Sequence, residues 1–535
     1  MKSHCYPFRQ VPHTSKLFLD YLEFSPSVRQ FYPRSPRLLE WAVEERGRIQ
    51  YPAERRNQVA GILERQNRDW GASTSTFENI GRFRSGACAI VTGQQVGLFG
   101  GPTFSVYKAL SAVKLAEAAR NLGIDCVPIF WLATEDHDFE EVNQVRIPGT
   151  DAKLETLASG AQAKNDAPVG TITFGPEIEQ NVARVTELLG DCELSRLLAE
   201  CYRAGQDFGS SFAKLFSRLF SDFGVILLDG SDPELDHIAA PLYTTAIKDV
   251  SEIKRGLLDR DSKLHAAGYH QQVKVTSSST LLFTMREGAR VPIHHSEGGE
   301  FLVGQEKTSR PQLLEMAASS PESFSPNVLL RPVVQDYLLP TLAYIGGSAE
   351  VAYFAQAGAV YEALLGRTTP AIPRFSATLI EPKIKALLEK YGLAMPSVFE
   401  GSETLRETIG ARRLPPNLQS SFEQATAAVE VSMKAVRDSL AELDKTLIES
   451  AENAESKMLY QINNLRSRAA RAELRHSEVI QRHAEVISNA LYPEKELQER
   501  GFAGVYFLAK YGRQLMDGLL DTMHPDCLDH QIVEL

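Results

Sequence analysis

Two apolar stretches joined by a glycine-rich loop and a helical pattern constrain the fold more than any other feature of this sequence. Residues 87–91 and 127–132 are apolar without alternation, which is typical of strands that are covered on both faces. Between them, Val106, Leu110 and Val113 are spaced for one face of a helix. A strand–helix–strand connection of this kind requires two parallel strands. The sequence therefore predicts an α/β, doubly wound core.

The rest of the chain predicts additions to that core. At 535 residues the chain is longer than one hydrophobic core normally serves. Turn-rich residues at about 146–180 and alternating, glycine-containing residues at about 265–325 predict two insertions, the second of them antiparallel. With these insertions, we expect the α/β core to occupy residues 1–385.

A heptad pattern follows the core. No glycine or proline lies between Pro416 and Pro493, and apolar residues recur at every seventh position. The recurring residues are Met433, Leu440, Leu447 and Ala454. Because the register slips near Ser450, we prefer a hairpin of two helices, with its turn in residues 449–455, over one long helix with a stutter. The pattern predicts an α-helical coiled-coil domain at 386–490, with residues 491–535 packing back on the core; an ordinary helical bundle is the alternative.

Charge and hydropathy limit the partners of the chain. Fifty-seven Lys and Arg against 68 Asp and Glu give a net charge of −11 without a basic patch, so we expect no nucleic-acid binding. The longest apolar runs are far shorter than the roughly 20 residues of a membrane helix, so we expect no membrane partner. No secretory signal is evident, and the sequence therefore predicts a cytoplasmic protein.

The cysteines are spread too widely for a shared site. They are Cys5, Cys88, Cys126, Cys192, Cys201 and Cys527. This spacing contains neither a CxxC redox pair nor a zinc-binding pattern. We expect each cysteine to be a small buried hydrophobe and no disulfide framework to form, as suits a reducing cytoplasm.

The loop after the first strand is a candidate anion-binding site. Backbone amides at such a strand-to-helix turn, together with the helix dipole, favour a phosphate or a carboxylate. The candidate binding residues are Gly93, Gln94, Gln95, Gly97, Gly100 and Gly101. Gln95 interrupts the glycine pattern of nicotinamide-binding proteins, and Lys108 lies too far inside the helix for a P-loop lysine. A merely tight turn is the alternative.

Five carboxylates and one imidazole crowd residues 135–143, directly after the second strand. If the extended geometry persists, Glu135 and His137 face one way while Asp136 and Asp138 face the other. Neighbouring carboxylates favour the protonated form of His137, which suits an acid–base role near neutral pH. Ligand binding or catalysis is the preferred interpretation, and a divalent metal site or a helix-capping cluster are the alternatives. The further candidate binding residues here are Trp131, Asp136 and Asn143.

A third group of candidate binding residues lies later in the chain. Its members are Arg331, Gln335, Asp336, Gly346 and Gly347. Arg331 has the geometry to pair bidentately with a carboxylate, and its alternative is a buried ion pair with Asp336 or Glu350. A helix is expected to begin near Ser348, which would place the two glycines at a second anion-receiving helix N-terminus.

These strings resemble the bacillithiol-biosynthesis cysteine-adding enzyme family (BshC). The resemblance is carried by residues 92–102, 128–138, 324–336, 491–495 and 497–500, with Asn143 and the Gly346-Gly347 pair. It spans nearly the entire length, without a departure inside these strings. The resemblance implies a Rossmann-like core with connective insertions and a coiled-coil domain that mediates homodimerisation.

The resemblance also implies a ligase that joins cysteine to glucosaminyl-malate through an amide, in the last step of bacillithiol biosynthesis. Carboxylate activation makes ATP or another adenine nucleotide the expected co-substrate, with no metal beyond the Mg²⁺ that accompanies it. On this hypothesis, the catalytic residues are His137, Asp138, Glu135 and Lys108. His137, with Asp138 or Glu135, would accept the proton of the amine, and Lys108 would act as a countercharge. Gln94 and Gln95 would bind sugar or ribose hydroxyls.

Two other functions remain as alternatives. A metal-dependent hydrolase or deacetylase of a related amino sugar would use residues 135–138 as metal ligands. A non-catalytic assembly protein would use the coiled coil to gather the other enzymes of the pathway.

Overall fold

The computed structural model describes residues 1–149, 153–163, 166–296, 298–411, 414–474 and 478–535. Its strands are β1 (Lys2–Tyr6), β2 (Cys88–Gln94), β3 (Cys126–Leu132), β4 (Gln144–Pro148), β5 (Leu154–Ala158), β6 (Ile226–Asp229), β7 (Ser279–Arg286), β8 (Ala289–His295), β9 (Phe301–Val303), β10 (Glu306–Thr308), β11 (Phe324–Pro326), β12 (Thr341–Gly346), β13 (Ala371–Pro373), β14 (Ala377–Ile380) and β15 (His530–Glu534).

Its helices are α1 (Lys16–Leu22), α2 (Ala42–Arg48), α3 (Ala53–Asp69), α4 (Thr74–Arg84), α5 (Thr103–Asn121), α6 (Phe139–Val142), α7 (Glu177–Leu189), α8 (Glu193–Cys201), α9 (Phe208–Leu219), α10 (Pro233–Lys248), α11 (Val250–Ala266), α12 (Arg310–Ser319), α13 (Arg331–Leu338), α14 (Ser348–Leu364), α15 (Pro382–Tyr391), α16 (Met395–Phe399), α17 (Ser402–Ala411), α18 (Pro416–Leu443), α19 (Ile448–Leu474), α20 (Glu478–Leu491), α21 (Gln498–Gly501), α22 (Gly504–Tyr511) and α23 (Gln514–Thr522).

A parallel sheet with the strand order β13–β12–β2–β3–β6 forms the centre of the fold. The chain lays down β2, β3 and β6 in one direction and then β12 and β13 in the other, which is the doubly wound topology. β2 and β3 pair from Cys88 opposite Cys126 to Gln94 opposite Leu132, and β3 is buried along its full length. Both stretches that the sequence predicts as covered strands are therefore strands, and the α/β, doubly wound core is confirmed.

Helix α5 covers β2 and β3 with small side chains. The shared buried cluster contains Ala112, Ala116 and Ala119 of the helix together with Cys88, Ile90 and Cys126 of the strands. Alanine side chains allow the helix to lie close to the sheet, where the packing leaves little freedom of position. Because α5 follows directly on the glycine loop, this packing holds the loop at the carboxyl edge of the sheet.

The second predicted insertion forms a separate sheet with the order β10–β9–β8–β7–β11. β7 and β8 are antiparallel neighbours, with Phe283 opposite Pro292. β9 pairs antiparallel with β8, β10 with β9, and β11 with β7. This arrangement confirms the antiparallel interpretation of residues 265–325. The first predicted insertion contains β5, which pairs with β4, while residues 150–152 and 164–165 lie outside the described residues.

The described chain divides into two compact units. The first comprises Met1–Ile147, Glu155–Thr378 and Glu499–Val533, and the second comprises Pro148–Leu154, Leu379–Gln498 and Glu534–Leu535. The sheet of the doubly wound core lies in the first unit, and α15 to α20 lie in the second. Residues near the C-terminus therefore return to the unit that contains the parallel sheet.

In the second unit, α18 and α19 are the arms of a helical hairpin, and Arg437 donates a hydrogen bond to Glu455 across them at 3.2 Å. The hairpin interpretation is confirmed, but the turn predicted at 449–455 lies inside α19. The turn is the segment Lys445–Leu447, which Asp444 begins by accepting the Thr446 amide at 2.8 Å. An aspartate side chain offers the backbone an alternative to the helical hydrogen bond, so the aspartate ends the helix before the apolar register slips.

The helices also bear on the expected absence of a membrane partner. Among the described residues, no helix has both the length and the apolar character needed to cross a bilayer.

The cysteine prediction is wrong for three of the six residues, because Cys192 is only partly buried and two others are not free thiols. Cys5 and Cys527 form a disulfide, with their Cα atoms 6.6 Å apart. The two ends of the chain meet because β1 and β15 are neighbours in one sheet, and a sequence separation of 522 residues hides this proximity. Cys88, Cys126 and Cys201 are buried free thiols, as expected for small hydrophobes.

A buried histidine joins β15 to the chain that follows β13. His530 is fully buried, and its Nδ1 lies 2.7 Å from the Ser376 hydroxyl while its Nε2 lies 2.9 Å from the Thr378 hydroxyl. Burial lowers the pKa of His530 to about 4. The folded protein therefore holds this imidazole in its neutral form at neutral pH.

We expect the stability of the protein to fall as the pH decreases from about 6.5 towards 5. Unfolded histidine binds a proton below a pKa of about 6.5, whereas folded His530 binds one only near 4, so protons favour the unfolded chain by about 1.4 kcal/mol per pH unit in this window. Urea unfolding between pH 5 and pH 7 measures this slope. His530→Gln should flatten it, while His524→Gln, a change at an exposed histidine, should not; an unchanged slope in His530→Gln would contradict the assignment.

Candidate functional site

An open cleft of about 780 Å³ lies in the first unit, at the carboxyl ends of the parallel strands. Its lining residues are Gly93, Gln94, Gln95, Phe104, Lys108, Ala133, Asp136, Glu141, Val328, Arg331, Gly347, Ala349, Glu350, Tyr353, Arg374 and Arg500. The residues after β2 and those after β12 meet here, and the strand order reverses between these two strands. Ligands of doubly wound sheets bind at such a point.

The first half of the glycine loop faces this cleft. Gly93 lies against β3 so closely that a Cβ atom would stand 2.9 Å from the carbonyl oxygen of Trp131, so only glycine fits. Gln95 donates a hydrogen bond from Nε2 to Asp136 Oδ2 at 2.8 Å. The loop after β2 and the acidic segment after β3 are thus in direct contact and share one cleft.

The second half of the loop is a tight structural turn. A Cβ atom on Gly97 would lie 2.9 Å from Gly101 Cα, and the Gly100 amide, at φ +85°, donates to the Tyr202 hydroxyl at 3.1 Å. The first amide of α5, at Thr103, donates to the Phe502 carbonyl at 2.8 Å. Gly97, Gly100 and Gly101 do not line the cleft. The tight-turn alternative describes this half, because its amides already have protein partners.

The acidic segment does not keep the extended geometry that the sequence analysis assumed. β3 ends at Leu132, and a turn at Thr134 and Glu135 redirects the chain. Asp136 accepts the backbone amide of His137 at 2.8 Å, and His137 Nδ1 lies 3.5 Å from the same carboxylate oxygen. The expected alternation of faces is therefore wrong: Asp136 lines the cleft, and His137 lies beside it.

Asp138 and Asn143 lie at the two ends of α6, as its N-cap and its C-cap. Asp138 is the N-cap of α6 and accepts the Glu141 amide at 3.2 Å. Asn143 accepts a hydrogen bond from the Ser159 hydroxyl, which draws its side chain towards the first insertion. The helix-capping alternative therefore describes Asp138, and neither residue lines the cleft.

The carboxylates of this segment differ in their protonation. Burial alone would raise the pKa of Asp136, but contacts with His137 and Gln95 and the nearby Arg290 hold this pKa well below its usual value. Burial raises the pKa of Glu141, and the charges of Asp138 and Asp136 raise it further. Asp136 is thus a permanent anion suited to binding a cation, whereas Glu141 is the better proton acceptor. Glu135, whose pKa burial also raises, has a buried Oε2 without a hydrogen-bond partner among the described residues.

Lys108 is buried beneath the cleft and joins its two central loops. Its side chain is only 3% exposed, and Nζ donates to the Gly93 carbonyl at 2.7 Å and to Gln94 Oε1 at 2.8 Å. It also lies 2.5 Å from Glu350 Oε2. Burial lowers the pKa of Lys108, and Glu350 opposes that effect. Because Glu350 neutralises the ammonium, Lys108 positions the loop and is not the free countercharge that the sequence analysis expected.

The helix predicted to begin near Ser348 begins there. Gly347, the residue before it, donates its amide to Glu350 Oε2 at 2.7 Å, and a Cβ atom on Gly346 would lie 2.7 Å from Glu350 Cβ. Gly347 lines the cleft, but its amide is satisfied by Glu350, so it offers no free donor to an anion.

Besides Gly97, Gly100, Gly101, Asn143 and Gly346, three further predicted binding residues lie outside the cleft. Trp131 is 2% exposed and packs beneath Gly93 and Gly230. Gln335 is fully buried, and Asp336 accepts a hydrogen bond from the Thr369 hydroxyl. The sequence pattern does not reveal that these two residues lie outside the cleft. Gln335 and Asp336 follow Arg331 by about one turn of α13, so they lie farther from the end of the helix that faces the cleft.

Three arginines supply the positive charge of the cleft. Arg331 donates to the Tyr353 hydroxyl at 3.1 Å, and its expected ion-pair partners are engaged elsewhere, Asp336 with Thr369 and Glu350 with Lys108. Arg374, which directly follows β13, donates to Glu499 Oε1 at 2.6 Å. The guanidinium carbons of Arg374 and Arg500 lie 5.2 and 5.7 Å from the Phe104 ring centroid.

Four residues of this site were not predicted from the sequence: Phe104, Arg374 and Arg500, which line the cleft, and Glu499, which binds Arg374. The sequence contains a pattern that could have indicated Arg374, because this residue directly follows a short apolar stretch, as the candidate loop follows the first strand. Arg500 belongs to a string that supports the family resemblance, yet nothing local in the sequence indicates that it meets Phe104 some 400 residues earlier.

We expect Glu499→Ala to destabilise the protein by about 3–5 kcal/mol, because it leaves the buried Arg374 guanidinium without its anion. The same change removes an acceptor from the Ser376 hydroxyl and the Ala377 amide. Urea unfolding measures the loss. Asp191→Ala removes an exposed ion pair with Arg196 and should leave the urea midpoint unchanged; equal midpoints for both variants would show that the buried pair contributes nothing.

Comparison with known proteins agrees with this architecture. The family model for the bacillithiol biosynthesis BshC N-terminal Rossmann-like domain matches residues 1–375, and the model for the BshC C-terminal coiled-coil domain matches residues 377–535. A protein of Koribacter versatilis named "Putative cysteine ligase BshC" is 49% identical over 99% of both chains. Proteins with the same name from Solibacter usitatus and Salinibacter ruber are 36% and 32% identical, over 99% and 97% of this chain and 99% and 96% of their own. The chain, with its Rossmann-like core and coiled-coil domain, therefore belongs to the BshC family of bacillithiol biosynthesis.

Proposed function

We propose that this protein is a ligase that adds L-cysteine to glucosaminyl-malate through an amide bond, the last step of bacillithiol biosynthesis. The observation that supports it best is the order of charges along the carboxyl edge of the sheet. Asp136 and Glu141 follow β3, Gln94 ends β2, Gly347 follows β12 and Arg374 follows β13, in the spatial order of the strands. With strands about 4.8 Å apart, the acidic end lies about 14 Å from the arginine end.

This separation suits a substrate that carries opposite charges at its two ends. Glucosaminyl-malate has an amine on its sugar and two carboxylates on its malyl group. Arg374 and Arg500 receive the carboxylates in this proposal, since guanidinium groups bind carboxylates through paired hydrogen bonds. Asp136 binds the amine in its ammonium form, and Gln94 and Gln95 lie between the two ends, where the sugar hydroxyls would be.

The amine must lose a proton before it can attack an acyl group. Asp136 is a poor acceptor because its pKa is held so low. Glu141 lines the same cleft and has a raised pKa, so we assign the proton to its carboxylate. This assignment replaces the pair of His137 with Asp138 or Glu135, since Asp138 caps α6 and Glu135 does not line the cleft.

Amide formation from a free carboxylate also needs activation, and ATP with Mg²⁺ is the co-substrate that we propose for it. The amides of Gly100 and Thr103 are engaged with protein groups, so they form no phosphate cradle. With Arg374 and Arg500 assigned to the malyl carboxylates, Arg331 is the cleft arginine that we assign to an anionic phosphate group.

The geometry favours the ligase over the two alternatives. A metal-dependent hydrolase needs the carboxylates of residues 135–138 to converge on one point, but Asp138 caps a helix and Asp136 bonds to Gln95. Among the residues that the structure describes, no group of three or more His, Cys, Asp or Glu side chains is arranged to hold a metal ion. A pure assembly protein would have no need for a cleft in which buried ion pairs position charged groups.

The ligase assignment predicts that a substitution at either end of the cleft weakens the binding of a different part of glucosaminyl-malate. Arg500→Met should raise the KM for glucosaminyl-malate by about 10- to 100-fold with little change in kcat, as expected for the loss of one charge-assisted hydrogen bond. Asp136→Asn should weaken binding of the amine by a similar factor. Purified protein is incubated with cysteine, glucosaminyl-malate and ATP, and the amide product is quantified by mass spectrometry.

The matched control is Arg196→Met, which removes an exposed arginine of the same unit and should leave both constants unchanged. The absence of any amide product from the unaltered protein would overturn the proposed activity, and an unchanged KM in Arg500→Met would overturn the substrate orientation.

We also propose that the coiled coil holds a homodimer. Several large apolar side chains on α18 and α19 are exposed, among them Val436 at 46% and Leu443 at 77%, which are seven residues apart on one face of α18. Apolar side chains in such a row are typical of a helix that packs against another chain.

Val436→Glu combined with Leu443→Glu should convert the dimer into a monomer, because the two carboxylates would be buried without partners in the interface. Light scattering at a defined protein concentration measures the mass. Ser439→Glu adds a charge at an exposed polar position of α18 and should leave the mass unchanged. A monomeric mass for the unaltered protein would contradict this proposal.

A further inference from the structure

The insertion sheet delivers one arginine to the edge of the cleft. Arg290 lies on β8, is 8% exposed, and places Nη1 3.0 Å from His137 Nδ1. Neither the glycine loop nor the acidic segment supplies this residue, and no sequence pattern marks it. Its position therefore results from the docking of the antiparallel sheet against the segment after β3.

Arg290 is held in place independently of His137. Its Nη2 donates to the Pro326 carbonyl at 3.0 Å, and its backbone amide donates to the Asp166 carbonyl at 3.0 Å. The guanidinium carbon lies 4.4 Å from the centroid of the Phe283 ring. A guanidinium with two contacts of its own, on a backbone that is itself hydrogen-bonded, is pre-organised, so it orients the imidazole and is not itself oriented by it.

The chemistry of the contact determines which nitrogen of His137 carries the proton. Guanidinium nitrogens only donate hydrogen bonds, and arginine is not deprotonated in proteins. A ring nitrogen 3.0 Å from Nη1 must therefore present its lone pair. With Nδ1 accepting, the single proton of the neutral imidazole resides on Nε2.

Asp136 acts against this arrangement. Its Oδ1 lies 3.5 Å from the same Nδ1 and favours a proton there. This contact is the main reason that the pKa of His137 is raised, and the charge of Asp166 acts in the same direction. Burial and the charge of Arg290 lower the pKa of His137 and so oppose this effect. The arginine is the closer partner, 3.0 Å against 3.5 Å, and Asp136 Oδ1 already accepts the His137 backbone amide at 2.8 Å. The shorter contact decides the tautomer.

We propose that Arg290 is a positioning residue that holds His137 as the Nε2–H tautomer, so that His137 donates a hydrogen bond to an oxygen atom of the substrate and does not act as a base. The inference rests on the proposed ligase function for the identity of that oxygen, a carboxylate or carbonyl oxygen of the acyl group. The tautomer itself does not depend on that function. The His137 side chain is 40% exposed, and its neighbour Asp136 lines the cleft.

Nitrogen-15 NMR of the full-length protein labelled in histidine tests the tautomer without substrate. We assign the His137 signals by their absence in His137→Gln, and expect a protonated Nε2 and an unprotonated Nδ1 at pH 8. In Arg290→Met the Nδ1 lone pair loses its donor, so Asp136 should draw the proton to Nδ1 and raise the pKa of His137. Arg290→Lys, which keeps a cationic donor, should retain the Nε2–H form.

Arg286→Met, on the neighbouring strand β7, removes an arginine paired with Glu306 and is the matched control, with no expected change. A protonated Nδ1 in the unaltered protein overturns the proposal even if Arg290→Met does not fold. Equal His137 signals in Arg290→Met and Arg286→Met overturn it as well.

Activity measurements test the donor role separately. A glutamine amide can donate a hydrogen bond near the position of Nε2 but cannot accept a proton as a base. His137→Gln should therefore lose less than about 10-fold in kcat, whereas His137→Leu should lose about 100-fold. Equal losses in the two variants overturn the donor role, while failure of the unaltered protein to form the amide overturns the proposed function and leaves the tautomer result intact.

Discussion

The buried ammonium of Lys108 is the interaction on which the rest of the site depends. It binds the Gly93 carbonyl and Gln94 from the loop after β2, and it pairs with Glu350 from the helix after β12. Glu350 also accepts the Tyr344 hydroxyl and the Gly347 amide, both at short range. A buried charge without its partner is strongly unfavourable, so this ion pair joins the two strand ends between which the sheet reverses its order. The cleft exists where they are joined.

The parallel sheet then distributes charge across that cleft. Each strand ends at the same edge, and the residues that follow β3, β2, β12 and β13 are in turn acidic, amide-bearing, glycine and arginine. Residues from the C-terminal part of the first unit complete the positive end, because Arg500 lies over Phe104 and Glu499 holds Arg374. The antiparallel insertion contributes Arg290 at the acidic end. Sheet order, one ion pair and two distant segments together produce a cleft with an acidic end and an arginine end.

A large part of this arrangement was predictable. The two covered strands, the glycine loop, the helix start at Ser348, the antiparallel insertion and the helical hairpin all follow from periodicity and turn chemistry, which act over short distances along the chain. The convergence of Gln95 and Asp136 followed as well, because parallel strands that are neighbours end at the same edge. The individual roles were less predictable. Lys108 became a buried positioning residue, and Asp138 became a helix cap, since each role depends on partners that the local sequence does not contain.

The sequence by itself determined the class of the fold and indicated three of the segments that line the cleft, because hydrophobic periodicity and glycine placement are local properties of a chain. Only the tertiary structure decided which side chains face the cleft and in what state of protonation. Arg374 and Arg500 reach it, and Arg290 reaches His137, through contacts between segments far apart in sequence, and the disulfide between Cys5 and Cys527 joins the two ends of the chain. Burial and charge pairing act through space, so the pKa of Asp136 and the engagement of Lys108 are properties of the folded molecule alone.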